Sequence, residues 1–224
     1  MSKKKRRKKS LRKEILRKLV HLMEVPVLFV YTFIRHIFGE RIGILAITAL
    51  FLVLLEVEYF RLEYKPKIPP IFNVFRRRER DNVAGTIFFI SATIIVFAAF
   101  DYPIALTALL LTVFGDLAAA LVGIKFGRHF LYKDKTLEGF LSGLCMNCFI
   151  GYLMLPGYPI IFFSMAIIAS VVELLTGKLD DNLTVPLFSG FTGQMLAYAL
   201  HAPLAAFPGP IMGSFLQYMP GFFG

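Results

Sequence analysis

Long apolar runs set off by dense blocks of charge constrain this chain more than any other feature of its sequence. The runs lie at about 18–38, 42–60, 83–100, 103–124, 139–155, 158–176 and 183–200. About 20 apolar residues is the length a helix needs to cross a hydrocarbon core. A backbone in lipid must satisfy its own polar groups, and no alternating strand pattern is present, so helix is the expected form. The chain therefore reads as an all-α integral membrane protein with about seven transmembrane helices. Hydrophobic residues make up 57% and charged residues 18%, against roughly 45–50% and 25% in a typical soluble domain. Three regions follow: a basic tail over 1–16, a polytopic membrane domain over 17–200 that holds the candidate catalytic residues, and a Pro-, Gly- and Phe-rich segment over 201–224.

Lys and Arg set the expected orientation. With the N-terminus in the cytoplasm, the tail together with Arg17 and Lys18, the 61–80 loop, the 125–137 loop and the 177–182 loop are all internal, and they hold 23 of the 25 basic residues. Only Arg35 and Arg41 fall on the other side, as the positive-inside rule requires. The formal net charge of +10 is thus a juxtamembrane feature that argues against nucleic-acid binding. The cluster from Lys3 to Lys13 suits anionic lipid headgroups. It does not suit a cleaved signal peptide, because no small-residue cleavage site follows a short apolar core. Cys145 and Cys148 form a lone CxxC in an apolar run, too few ligands for zinc.

Ionisable residues within or beside spans are expensive and mark candidate functional sites. They are Arg17, His21 and Glu24 on the first run, Glu56 and Glu58 on the second, Asp116 on the fourth, Glu173 on the sixth, and Asp180 and Asp181 after it. Asp116, Ala120, Gly123 and Gly127 share one helix face, a carboxylate followed by a groove of small residues. Such a groove admits either another helix backbone or a nucleotide. Next comes Lys133-Asp134-Lys135-Thr136-Leu137-Glu138-Gly139. Lys and Thr beside a helix N-terminus make an anion cradle, and Thr136 is also a helix cap. Asp180, Asp181 and Asn182 offer hard oxygens suited to Mg2+ that also holds phosphates, or to a solvated turn.

At these residues the chain resembles the CTP-dependent lipid-alcohol kinases, a family that includes dolichol kinase, phytol kinase and the CTP-dependent diacylglycerol kinase. The matching patterns are Arg17-Lys18-x-x-His21, Arg76-x-x-Glu79 followed by Gly85, and Asp116-x-x-Ala119-x-x-x-Gly123-x-x-x-Gly127. Lys135-Thr136-x-Glu138-Gly139, and Glu173 ahead of Asp180-Asp181-Asn182-Leu183-Thr184-Val185-Pro186, complete the ordered set.

The resemblance implies transfer of the γ-phosphate of CTP to the hydroxyl of a membrane lipid alcohol on the cytoplasmic side. It implies nucleotide contacts from Ala119, Gly123, Gly127, Arg128, Lys135, Thr136, Glu138 and Gly139. Asp116, Asp180, Asp181 and Asn182 are the expected Mg2+ ligands. Arg17, Lys18 and Arg128 are expected to neutralise charge, Glu79 is a further candidate, and the base is left open among Glu173, His21 and an aspartate. The related phosphatidate cytidylyltransferases share the Asp/Gly/Lys-Thr-Glu-Gly run but end in a different motif, so a cytidylyltransferase is the alternative enzyme. A small transporter or lipid-binding scaffold is the non-enzymatic alternative. Neither the identity of the lipid nor the oligomeric state is written in the sequence.

Overall fold

The computed structural model describes residues 21–64, 83–133, 135–177 and 179–204. The expected tail over 1–16, the candidates Arg17, Lys18 and Glu79, and most of the 201–224 segment lie outside these residues. The described residues are mostly helical. In order they form α1 (Glu24–Phe38), α2 (Glu40–Tyr64), α3 (Gly85–Ala99), α4 (Tyr102–Phe126), β1 (Phe130–Tyr132), β2 (Lys135–Thr136), α5 (Leu137–Met154), α6 (Pro159–Leu175) and α7 (Asp181–Ala199). Each apolar run coincides with one helix. Among the described residues, three helices are long and apolar enough to cross a membrane: Glu40–Glu63, Tyr102–Phe126 and Leu137–Met154. The all-helical expectation is corrected at 125–137, where β1 and β2 pair antiparallel. Lys133, directly after β1, adopts φ 51, a left-handed conformation that turns the chain back toward β2.

α4 is the central helix. Ile104, Ala105, Ala108, Leu109 and Leu111 along it are fully buried. On one side it meets Leu28, Tyr31, Phe89, Ile90 and Phe97 of α1 and α3, with the rings of Tyr31 and Phe97 stacked at 4.0 Å. On the other side Ile161, Met165 and Ala169 of α6 join Val185 and Ala197 of α7. The perimeter is apolar as well: on α2, Leu45 is 64% and Val53 61% exposed. A helix apolar all round, with large side chains facing outward, suits lipid as the outer solvent. Hydroxyls inside the helices bond back to their own backbone, as Thr93 does to the Phe89 carbonyl and Thr107 to the Pro103 carbonyl. This satisfies a polar group where no water is at hand.

The two ends of the bundle differ. At one end the connections are short: Gly39 alone joins α1 to α2, Phe100 and Asp101 join α3 to α4, and residues 155–158 join α5 to α6. Gly39 adopts φ 87, which glycine reaches without the steric cost other residues meet. A polar clasp closes this end. The Gln194 amide donates to the Asp101 carboxylate at 2.8 Å and accepts the Asp101 backbone N–H at 2.8 Å. The other end carries the longer connections and every motif residue that starts or follows a helix.

Candidate functional site

The site is built at this second end, where α4 and α6 finish and α5 and α7 begin. Thr136 caps α5, its hydroxyl oxygen accepting the Gly139 N–H at 3.2 Å. Asp180 caps α7, its carboxylate accepting the Asn182 N–H at 3.0 Å. Each cap satisfies one donor of the first turn; the Leu137 N–H of α5 also donates to the His129 carbonyl at 2.8 Å, and the Leu183 N–H of α7 to the Asp180 carbonyl at 3.2 Å. Two helix N-termini, with their positive dipole ends, therefore open toward the same end of the bundle. Within α7, Pro186 offers no N–H to the Asn182 carbonyl four residues earlier.

The small-residue face of α4 is occupied by α5. A side chain on Gly139 would meet the Ala119 carbonyl at 2.8 Å and the Gly123 Cα at 3.3 Å. One on Gly143 would meet the Ala119 Cβ at 3.1 Å. Gly123 and Gly127 both face the Thr136 hydroxyl. Of the two occupants the sequence allowed, this face takes a helix backbone. Ala119, Gly123, Gly127 and Gly139 thus bring the α5 N-terminus hard against α4. Lower in this interface Asn147, fully buried, donates to Ser170 of α6 at 3.0 Å and points its carbonyl at Gly115.

Lys135 joins two motifs that lie 38 residues apart. Its ammonium donates to the Glu173 backbone carbonyl and lies 4.0 Å from the Glu173 carboxylate. A cation at the carbonyl end of α6 suits the negative end of that helix dipole. The Glu173 side chain is buried. Lys133 reaches the same connection, its ammonium sitting where a side chain of Gly177 would begin.

A third junction brings together residues from three further places. Gly85, at the start of α3, faces the Asn182 amide and the His21 ring; a Cβ there would lie 2.7 Å from one and 3.5 Å from the other. Asn182 is buried. The His21 Nδ1 lies 3.0 Å from the carboxylate of buried Glu24. With Nδ1 donating to that carboxylate, Nε2 is left as an acceptor.

Among the described residues, no three His, Cys, Asp or Glu side chains form a group able to hold a metal ion. Half-buried Asp116 and the Asp180–Asp181 pair are therefore not gathered into one all-protein cage. Mg2+ is usually held by one or two carboxylates, with phosphate and water completing the shell.

One participant, His129, was not singled out in the sequence. His129 bonds the Glu138 carboxylate through Nδ1 at 2.8 Å, and its N–H approaches both carboxylate oxygens at 3.3 Å. Glu138 thereby ties the loop after α4 to the first turn of α5. Arg128, also expected at the nucleotide, is exposed beside it. Glu58 proves to be structural: its carboxylate takes two bonds from Arg61, at 2.7 and 2.6 Å, and the Ala84 N–H at 2.7 Å. It anchors the start of α3, on which Gly85 sits. Glu56 faces outward.

No family model matches the chain. No solved structure matches it. The chain is similar to an uncharacterized protein of Methanocaldococcus jannaschii, 26% identical over 181 residues, an alignment that covers 80% of this chain and 92% of that protein.

Proposed function

We propose that this chain is a CTP-dependent kinase that phosphorylates the hydroxyl of a membrane lipid alcohol, of the polyprenol, phytol or diacylglycerol type. In this reading all seven helices span the bilayer, the N-terminus is cytoplasmic, and the site faces the cytoplasm. The observation that carries the reading is convergence. Residues of four separate motifs meet at one end of the bundle: Lys135 with Glu173, and His21 with Gly85 and Asn182. A packing role explains the glycines, but it does not require a lysine, a histidine–carboxylate pair and two capped helix N-termini on the same side.

Phosphoryl transfer is mainly positioning and charge neutralisation. The N-terminus of α5 and Lys135 supply positive potential for the CTP phosphates. Thr136 fixes the first turn of α5, and the small residues of α4 set how closely that turn approaches. Bound Mg2+ would neutralise phosphate charge, with Asp116, Asp180, Asp181 and Asn182 as its hard-oxygen donors. His21 is the best-placed base for the lipid hydroxyl, because Glu24 orients its ring and stabilises the imidazolium that forms on accepting the proton. Glu173 and the aspartates are less suited: the first is held beside Lys135, and Asp180 caps α7.

The deciding experiment incubates the purified protein with CTP, Mg2+ and a panel of lipid alcohols, with ATP in parallel. The expected products are CDP and a lipid phosphate. Pyrophosphate and a CDP-lipid from a phosphorylated lipid would point to the cytidylyltransferase instead. Failure to bind labelled CTP would leave the transporter or scaffold. Asp116→Asn is expected to abolish turnover while the protein stays folded.

A further inference from the structure

The β1–β2 ribbon carries an unusual surface. Phe130 is 72% exposed and Leu131 48%, and Tyr132 also faces outward. Phe126 at the end of α4, Leu175 at the end of α6 and Leu179 beyond it extend this apolar surface on the same end of the bundle. The ribbon leans on that α6 end through Lys133 at Gly177 and Lys135 at Glu173. It is therefore fixed in place, yet nothing in the described chain covers its aromatic residues. In a water-facing loop such a surface is a liability.

Two observations identify what covers it. The first is position. The ribbon connects α4, which ends at Phe126, to α5, which starts at Leu137, and both helices are long and apolar enough to cross a membrane. A ten-residue connection between two spans cannot travel far from the bilayer edge. The second is charge. Lys125, Arg128 and Lys133 are exposed around the aromatic residues, with Lys125 5.0 Å from the Phe126 ring and Lys133 4.9 Å from the Tyr132 ring. Among the described residues none of the three has a carboxylate within ion-pair range. Aromatic rings with basic neighbours match the headgroup layer, where rings sit at the polar–apolar boundary and cations meet lipid phosphate.

We propose that the β1–β2 ribbon is an interfacial anchor seated in the anionic phospholipid headgroups of the leaflet at this end of the bundle. Its outward residues sit at the acyl boundary, and Lys125 and Arg128 beside it sit on lipid phosphates. The inward end of the same ribbon, Lys135 and Thr136, is thereby held at a fixed depth relative to the leaflet. The proposal rests on the membrane character of the chain and is independent of the kinase reading.

The chain contains no tryptophan, so Leu131→Trp creates a sole fluorescent reporter in the full-length protein, and Phe130→Trp serves if the first variant does not fold. Phe149→Trp is the insertion control, at an outward position on α5 that is 57% exposed. Each is reconstituted into phosphatidylcholine vesicles with and without phosphatidylglycerol, using lipids brominated either near the headgroup or near the chain end. For Leu131→Trp the expected result is blue-shifted emission, with quenching strongest from bromines near the headgroup. Quenching should be about twofold greater with phosphatidylglycerol. Adding Lys125→Gln and Arg128→Gln, which leave Lys133 seated at Gly177, should remove that difference. Water-like emission, or quenching unaffected by phosphatidylglycerol, overturns the anchor while quenched Phe149→Trp shows that the chain is inserted. If neither reporter is quenched, the membrane reading fails and the anchor fails with it.

Discussion

The ammonium of Lys135 donates to the backbone carbonyl of Glu173, tying the end of the β ribbon to the C-terminus of α6 across 38 residues of sequence. The bond goes to the backbone, whereas the Glu173 carboxylate stands farther off at 4.0 Å. The two partners should therefore differ as mutational targets. Lys135→Met removes the cation and is expected to lower kcat/KM for CTP by about 10²- to 10³-fold, the range seen when one preorganised charge-stabilising donor is lost. Glu173→Gln keeps the carbonyl that Lys135 uses and should cost less than about tenfold. Steady-state kinetics on both variants checks the order. A Glu173→Gln defect as deep as that of Lys135→Met would instead place its carboxylate in the chemistry.

The His21–Glu24 pair makes a separable prediction. His21→Ala should lower kcat by about 10²- to 10⁴-fold, the usual contribution of a positioned base, without weakening CTP binding. Glu24→Gln can still hold the ring but cannot stabilise a charged imidazolium, so kcat should fall by roughly tenfold or more with little change in KM. Added imidazole should partly restore His21→Ala. Parallel losses in CTP affinity and kcat would show that the pair shapes the pocket and does not take the proton.

Helix packing can be tested through two glycines. Gly139→Ala places a Cβ 2.8 Å from the Ala119 carbonyl, and neither backbone can yield without separating α4 from α5. A loss of about 1–3 kcal/mol is expected. Nothing lies within 4 Å of the corresponding position at Gly157, so Gly157→Ala should stay within about 0.5 kcal/mol. Thermal unfolding in one detergent compares them. Equal midpoints would contradict the close approach of the two helices.

Glu58 anchors the first residues of α3 from within a buried pair. Glu58→Leu leaves Arg61 without its bidentate partner and the Ala84 N–H without its acceptor. The expected cost is about 3–5 kcal/mol. The double variant Glu58→Leu with Arg61→Leu should recover part of it, since the guanidinium is then removed together with the carboxylate it pairs with. Unfolding midpoints of the two variants decide the point.

The seven described helices were legible because each apolar run has one length; the bounds of α3 to α7 follow the runs within two residues, while α2 continues four residues past its run to Tyr64. The Thr136 cap was legible, because a Thr at a helix start has a local geometry. Contacts such as Gly85 with Asn182 were not. They join residues nearly 100 positions apart through tertiary packing, which leaves no local periodicity. The β ribbon was missed because three and two residues of strand are too short to show alternation. Gly123 and Gly127 were legible only as a choice between two occupants, since small residues state that something comes close and not what it is. Glu58 was read as a possible functional acid; its role is set by Arg61 one turn away and by a backbone N–H beyond a long loop.

The short turns at one end of the bundle and the motif-bearing connections at the other impose a rule of parity. Each motif stays with its partners only while the helices between them number as they do here. Inserting or deleting a single helix between Lys135 and Asn182, or between His21 and Gly85, would carry one member to the opposite end. Helices can be gained or lost inside this stretch only in pairs. Chimeras exchanging one helix hairpin should retain the arrangement, and any relative of this chain that keeps the same ordered motifs must match it modulo two.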